Sequence, residues 1–233
     1  MEDLGIRMWH EECVILKDDR VIVKLKNYDG GFKGSVIVPT SYYPLNDKYR
    51  IFTYKNTEQL TDENVLKIFD NVKYHIGRCY ANAAELCDLL VKAGYNAKTY
   101  VGWLFTAITE YPVYHCWVVF NDNIVLDLSD DFTAMLMGSN AENFANKSKD
   151  EEREVIASFQ AAASKVPNSI RCSPVGTPTP FLFYVGSECS ADEGLRIYRN
   201  LIKKYPDHES ISNVGSDGYN ATHRFLKNAG VMN

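Results

Sequence analysis

Cys79, His115 and Asp127 are the residues whose types and order fit nucleophilic chemistry. A thiolate attacks a carbonyl carbon, an imidazole takes and returns the proton, and a carboxylate holds the imidazole in one tautomer. Cys79 follows Gly77-Arg78 and stands where a helical pattern begins. A thiol at a helix amino terminus feels the positive end of the macrodipole and the unpaired backbone donors of the first turn. Both favour the thiolate over the thiol, and Arg78 adds positive potential. The backbone N–H of Cys79 is a candidate oxyanion donor. Cys87 lies two turns later between Leu86 and Leu89-Leu90, in the apolar body of the helix, and reads as core packing.

His115-Cys116-Trp117-Val118-Val119-Phe120 alternates as a strand, so His115, Trp117 and Val119 share one face. Asn121-Asp122-Asn123 is a tight turn ahead of a second strand. A three-residue loop sets Phe120 opposite Ile124 and Trp117 opposite Asp127, which brings Asp127 to the His115 face; a two-residue loop sends it to the other face. On the first register Asp127 accepts one imidazole N–H and leaves the other nitrogen for the thiol. Each residue also has a plainer reading. A lone strand histidine is a structural hydrogen-bonder, and Asp127, followed by Asp130-Asp131, is a strand end and a cap. The order of helix-start Cys, strand His and Asp on the paired strand favours the chemical reading. The second oxyanion donor is open among Tyr74, His75 and Asn82, with Asn82 equally readable as solvated. Trp103 and Trp117 are candidates for the cleft wall or for plain core.

The elements that must position these residues follow from periodicity. Strands are expected at 13–16, 21–25, 36–38 and 50–54, the first two joined by a turn at Asp18-Asp19-Arg20. A helix over 62–72 has Thr61 as its cap and Val65, Ile68, Phe69 and Val72 as its apolar stripe. The helix carrying Cys79 runs to Lys92 and stops at Gly94. Strands at 97–105, 113–120 and 124–128, a charged helix over 150–164, a stiff Pro-rich loop at 172–180 and a strand at 181–185 come next. Ser190-Ala191-Asp192-Glu193 is a capping box opening a helix to about residue 205, with Leu195, Tyr198, Leu201, Ile202 and Tyr205 facing inward. The order implies an α+β fold with an antiparallel sheet. The expected organisation is a single domain: a β-rich extension over 1–58, a catalytic core over 59–137, and a C-terminal αβ extension over 138–233 that completes or covers the core.

Gly77-Arg78-Cys79-Tyr80 into a helix, Leu90 to Gly102 with Gly94-Tyr95-Asn96-Ala97-Lys98, then His115-Cys116-Trp117-Val118 and Leu126-Asp127, resemble the core of the transglutaminase-like superfamily. Lys98 stands where that family usually has Arg. The resemblance covers roughly residues 60–130. It implies a papain-like fold with a Cys helix packed on an antiparallel sheet that carries His and Asp. It also implies Cys79 as nucleophile, His115 as base and Asp127 as orienter. Transglutaminases, cysteine peptidases, peptide N-glycanases and catalytically dead relatives share this core, so the reaction is not fixed by it.

The expected function is that of a cysteine-dependent amide-bond enzyme working through a Cys79 acyl-thioester, a peptidase or amidase with water as acceptor or an acyltransferase with an amine. The alternative is an inactive fold of the same kind used as a protein-binding or regulatory module, which the 15 tyrosines and the missing oxyanion side chain favour. The net charge of -5 argues against nucleic acid as the partner. A protein or peptide substrate is expected instead. The cysteines, at 13, 79, 87, 116, 172 and 189, include no CxxC pair, and His10, His208 and His223 have no partners at metal spacing. No metal and no cofactor are therefore expected. The acidic start Met1-Glu2-Asp3 and the lack of a long apolar run point to a cytoplasmic protein with reduced thiols and no membrane partner.

Overall fold

The computed structural model describes residues 8–16, 20–27, 33–39, 48–106, 113–129, 148–179 and 182–204. Three strands, β1 (Met8–Leu16), β2 (Arg20–Asn27) and β3 (Lys33–Pro39), form one antiparallel sheet in chain order. The second sheet has five antiparallel strands: β4 (Arg50–Phe52), β5 (Ala97–Thr106), β6 (Val113–Phe120), β7 (Ile124–Leu126) and β8 (Leu182–Glu188). Their spatial order is β4-β8-β5-β6-β7. The helices are α1 (Glu63–Asn71), α2 (Cys79–Lys92), α3 (Lys149–Ala163), the single turn α4 (Asn168–Arg171) and α5 (Ala191–Lys204). The chain is thus mixed α and β with an antiparallel central sheet. No helix among the described residues is long and apolar enough to cross a membrane.

Several element ends differ from expectation for local reasons. Asp62, not Thr61, caps α1, because its side chain accepts from the N–H groups of Asn64 and Val65. β4 stops at Phe52 because Asn56 turns the chain: its Oδ1 accepts from the Thr53 N–H at 2.7 Å and its Nδ2 donates to the Ile51 carbonyl at 2.8 Å. α3 opens on a full capping box between Ser148 and Glu151. At α5 the Ser190 hydroxyl accepts from the Glu193 N–H at 3.3 Å, but the Glu193 carboxylate turns outward to Arg196, so that box is half made. The Asp18-Asp19 turn, Asp130-Asp131, Phe181, Tyr205 and the side chains of Leu201 and Ile202 lie outside the described residues.

The two faces of the five-stranded sheet differ. On one, Tyr114, Cys116, Val118 and Phe120 of β6 pack with Val101 and Trp103 of β5 beneath Tyr80, Ala83, Leu86 and Leu90 of α2. α5 lies beside α2 on that face, and Tyr198 stacks on Tyr114 with ring centroids 5.6 Å apart. On the other face Phe52, Tyr100, Leu104, Trp117, Val119 and Tyr184 form a second apolar cluster. The β6–β7 turn fixes which residues go where. Phe120 pairs with Ile124 and Val118 with Leu126 across a three-residue loop. Asn121 and Asp122 both take positive φ to close it. This is the register that brings Asp127 to the His115 side. Gly102 sits directly across from His115 and from Gly186. A methyl at Gly102 would lie 2.1 Å from the Val185 carbonyl, and one at Gly186 would meet the Trp117 ring at 2.4 Å. Gly102 lets the β8 backbone come close, and Gly186 leaves room for the Trp117 indole over the sheet.

Candidate active site

α2 begins at Cys79 because the segment before it is pinned to the helix. Gly77 takes a positive φ, and the Arg78 N–H donates back to the His75 carbonyl at 3.2 Å. Arg78 is the N-cap residue and offers no side-chain cap, and no acid stands in the first turn. The first backbone donors of α2 are therefore left without a side-chain acceptor, and Cys79 is the residue among them. Its side chain is half-buried.

β7 covers β6 only from Val118 to Phe120, so among the described residues no strand lies beyond β6 on that side from Trp117 back towards His115. Asn82 in the first turn of α2 reaches the chain just after β7, donating to the Ser129 hydroxyl at 3.2 Å. Two of the expected residues, His115 and Asp127, are in direct contact. His115 Nε2 lies 2.7 Å from Asp127 Oδ2, and the charge of Cys79 acts on the same imidazole. With Nε2 committed to the carboxylate, Nδ1 is left for the sulfur. Asp127 is itself fully held: the Tyr184 hydroxyl donates to Oδ2 at 2.9 Å and the Ser129 N–H to Oδ1 at 2.9 Å. His115 and Asp127 are both buried, at 4% and 6% exposure, so their pairing is not diluted by solvent. Burial favours the neutral imidazole, but the charges of Asp127 and Cys79 and the hydrogen bond to Asp127 outweigh it. The His115 pKa is raised well above its usual 6.5. Asp127 thus favours the protonated ring over the neutral one.

The remaining expected residues go elsewhere. Asn82 is 2% exposed, not solvated, and both hydrogens of its amide are used, on the His75 carbonyl at 2.8 Å and the Ser129 hydroxyl at 3.2 Å. It has no donor left for an oxyanion. Tyr74 is buried with its ring under the Arg171 guanidinium, 3.8 Å from the ring centre. Its carbonyl accepts from Gln160 Nε2 at 2.7 Å. His75 is half-buried in the segment before Cys79, its N–H given to Asn82 Oδ1 at 3.1 Å. Trp103 and Trp117, at 1% and 0% exposure, are core and cannot wall a cleft. Trp103 packs edge-on to Tyr114, and Trp117 lies parallel to the His115 ring and against Tyr184. Lys98, the departure from the family pattern, pairs with Glu188 across the sheet on the exposed surface, away from the thiol. No group of His, Cys, Asp and Glu among the described residues is placed to hold a metal ion.

No known family model matches the chain, and no curated protein or solved structure is significantly similar to it. The residues that reasoning from sequence missed are Tyr184, Ser129 and Gln160. Tyr184 lies 57 positions from Asp127 on a strand that enters the sheet between β4 and β5, so no short-range pattern joins the two.

The other described thiols are in poorer surroundings, and the Cys13 side chain lies outside the described residues. Cys116 and Cys172 are buried, and burial pushes the Cys116 thiol well up. Burial also raises Cys87 and Cys189, each of which points its sulfur at a backbone carbonyl 3.5 Å away. Sub-stoichiometric iodoacetamide at neutral pH should therefore label Cys79 ahead of Cys87, Cys116, Cys172 and Cys189, as read by peptide mass spectrometry. First labelling at Cys116 or Cys172 would mean that the wrong thiol has been chosen.

Proposed function

We propose that the chain is a cysteine-dependent amide-bond enzyme on a transglutaminase-like, papain-like core, with Cys79 as nucleophile, His115 as acid and base, and Asp127 as orienter. One observation carries the reading: a buried imidazole is held through Nε2 at 2.7 Å by a carboxylate, which leaves Nδ1 to serve a thiol at the first position of a helix whose charge acts on the ring. A purely structural histidine needs the carboxylate but not the helix-start thiol. The three-residue loop to β7, which brings Asp127 to the His115 face, supports the same assignment.

In this reading the Cys79 sulfur attacks the carbonyl carbon of an amide while the first-turn N–H of Cys79 donates to the developing oxyanion. The imidazolium of His115 gives its proton to the amide nitrogen, the C–N bond breaks, and an amine leaves. The acyl group stays on sulfur as a thioester. His115, now neutral, takes a proton from water, the hydroxide adds to the thioester carbon, and the C–S bond breaks to release the acid. Asp127 keeps Nε2 protonated throughout, so Nδ1 does all the proton transfer. A primary amine in place of water gives a new amide by the same steps. Hydrolysis needs only water and is the simpler outcome.

The test is a peptide-library cleavage screen run together with incorporation of a labelled primary amine, wild type against Cys79→Ser. Wild type is expected to turn over at least one class of peptide, and Cys79→Ser to fall to background in the same assay. Equal rates in the two proteins would exclude a Cys79 acyl-thioester.

A further inference from the structure

Asn82 stands one turn into α2 and is almost fully buried. A buried amide must use its donors and its acceptor inside the protein. This one uses none of them on α2. Its Oδ1 accepts from the His75 N–H at 3.1 Å, and its Nδ2 donates to the His75 carbonyl at 2.8 Å and to the Ser129 hydroxyl at 3.2 Å. One side chain therefore joins three segments: the first turn of α2, the irregular run that leads into Cys79, and the chain just after β7. From the other side Gln160 of α3 takes the flanking groups of the same run, donating to the Tyr74 carbonyl at 2.7 Å and accepting from the Ile76 N–H at 2.9 Å.

The need for such a tie follows from where the reacting groups sit. His115 is on a strand, and Asp127 just past β7 is locked to it. Cys79 is on a helix that meets the sheet mainly through Tyr80, Ala83, Leu86 and Leu90. Apolar packing is non-directional and does not by itself fix how far a helix slides along a sheet. A hydrogen bond does, because it weakens steeply with distance and angle. The Asn82–Ser129 bond is placed for this, since the Ser129 N–H in turn holds Asp127 Oδ1 at 2.9 Å.

We infer that Asn82 is a positioning residue that sets the separation of the Cys79 sulfur from the His115 ring, by fastening the first turn of α2 to the Ser129 hydroxyl and to the backbone of His75. The inference rests on the triad proposed above. It assigns Asn82 no contact with substrate.

The experiment is the rate of Cys79 alkylation by iodoacetamide against pH, for wild type, Asn82→Ala, Ser129→Ala and His115→Ala, with each protein's fold checked by near-UV circular dichroism. Asn82→Ala is expected to lose on the order of tenfold or more of the rate near pH 6, where reactivity depends on the imidazole being in place. Near pH 9.5 it should stay within about twofold of wild type, because the thiolate forms there unaided. Ser129→Ala should move the same way by less, since its backbone N–H remains on Asp127. A residue that only supports the fold would lower the melting temperature and leave the shape of the pH profile alone. A folded Asn82→Ala with the wild-type profile would overturn the inference. Should Asn82→Ala not fold, Ser129→Ala decides: it removes only the linking hydroxyl, and a wild-type profile there overturns the inference equally. Failure of the triad itself looks different. Wild type and His115→Ala would then superimpose at every pH, and the role given to Asn82 would fall with it.

Discussion

Replacing Asp127 by Ala is expected to destabilise the fold by about 3–5 kcal/mol near neutral pH, the range found when one member of a buried ion pair is removed. The carboxylate accepts from His115 Nε2, the Tyr184 hydroxyl and the Ser129 N–H, and each donor is left inside the protein when it goes. A protonated His115 ring loses its counter-charge in a site where the two side chains are 6% and 4% exposed. Asp127→Asn is the sharper variant, because it keeps the shape and removes the charge.

The pH dependence of that loss has a definite sign. The folded-state pKa of His115 is raised above its ordinary value, so protonation contributes stability that is fully present below the unfolded pKa of about 6.5 and is lost as pH rises through the folded one. In Asp127→Asn the largest of the raising charges is gone and burial again favours the neutral ring. The stability gap between wild type and Asp127→Asn should therefore be widest near pH 6 and shrink steadily on the alkaline side of neutral. Urea unfolding at several pH values measures it. A gap that stays constant from about pH 6 to 9.5 would mean that His115 is not held charged in the folded protein.

The parts of the site that sequence made legible are those governed by short-range rules. Alternation placed His115 and Trp117 on one face of β6, and the Asn121-Asp122-Asn123 turn carried the register that brings Asp127 to that face. The shift from Gly77-Arg78 to a helical period marked the start of α2 at Cys79. What stayed hidden depends on contacts between distant segments. Nothing in the run Cys79-Tyr80-Ala81-Asn82 tells a buried amide from a solvated one; that is decided by the chain at 75 and 129 coming to the same place. Tyr184 reaches Asp127 only because β8 inserts between β4 and β5, which a strand pattern at 181–185 does not specify. The same insertion means that β4, from the N-terminal stretch, and β8, from the C-terminal one, lie in one sheet with the strands that bear His115. The tryptophans misled for a related reason. Periodicity gives the face a side chain points to but not what lies over that face, and both faces of this sheet are covered at Trp103 and Trp117.

The second large effect concerns the thiol. His115→Ala removes the proton acceptor and the positive charge beside the sulfur, while Asp127→Ala leaves the imidazole in place but unfixed. Cys79 alkylation followed against pH is the direct reading of that pairing. Wild type is expected to label at Cys79 at a measurable rate near pH 6. His115→Ala should lose it, with the rate near pH 6 down by about 10²–10³-fold, the order of a lost acid–base partner. Asp127→Ala should show a smaller shift in the same direction, and Cys79→Ala should show no labelling at that position. Identical profiles for wild type and His115→Ala would contradict the account, because Cys79 would then owe nothing to the imidazole.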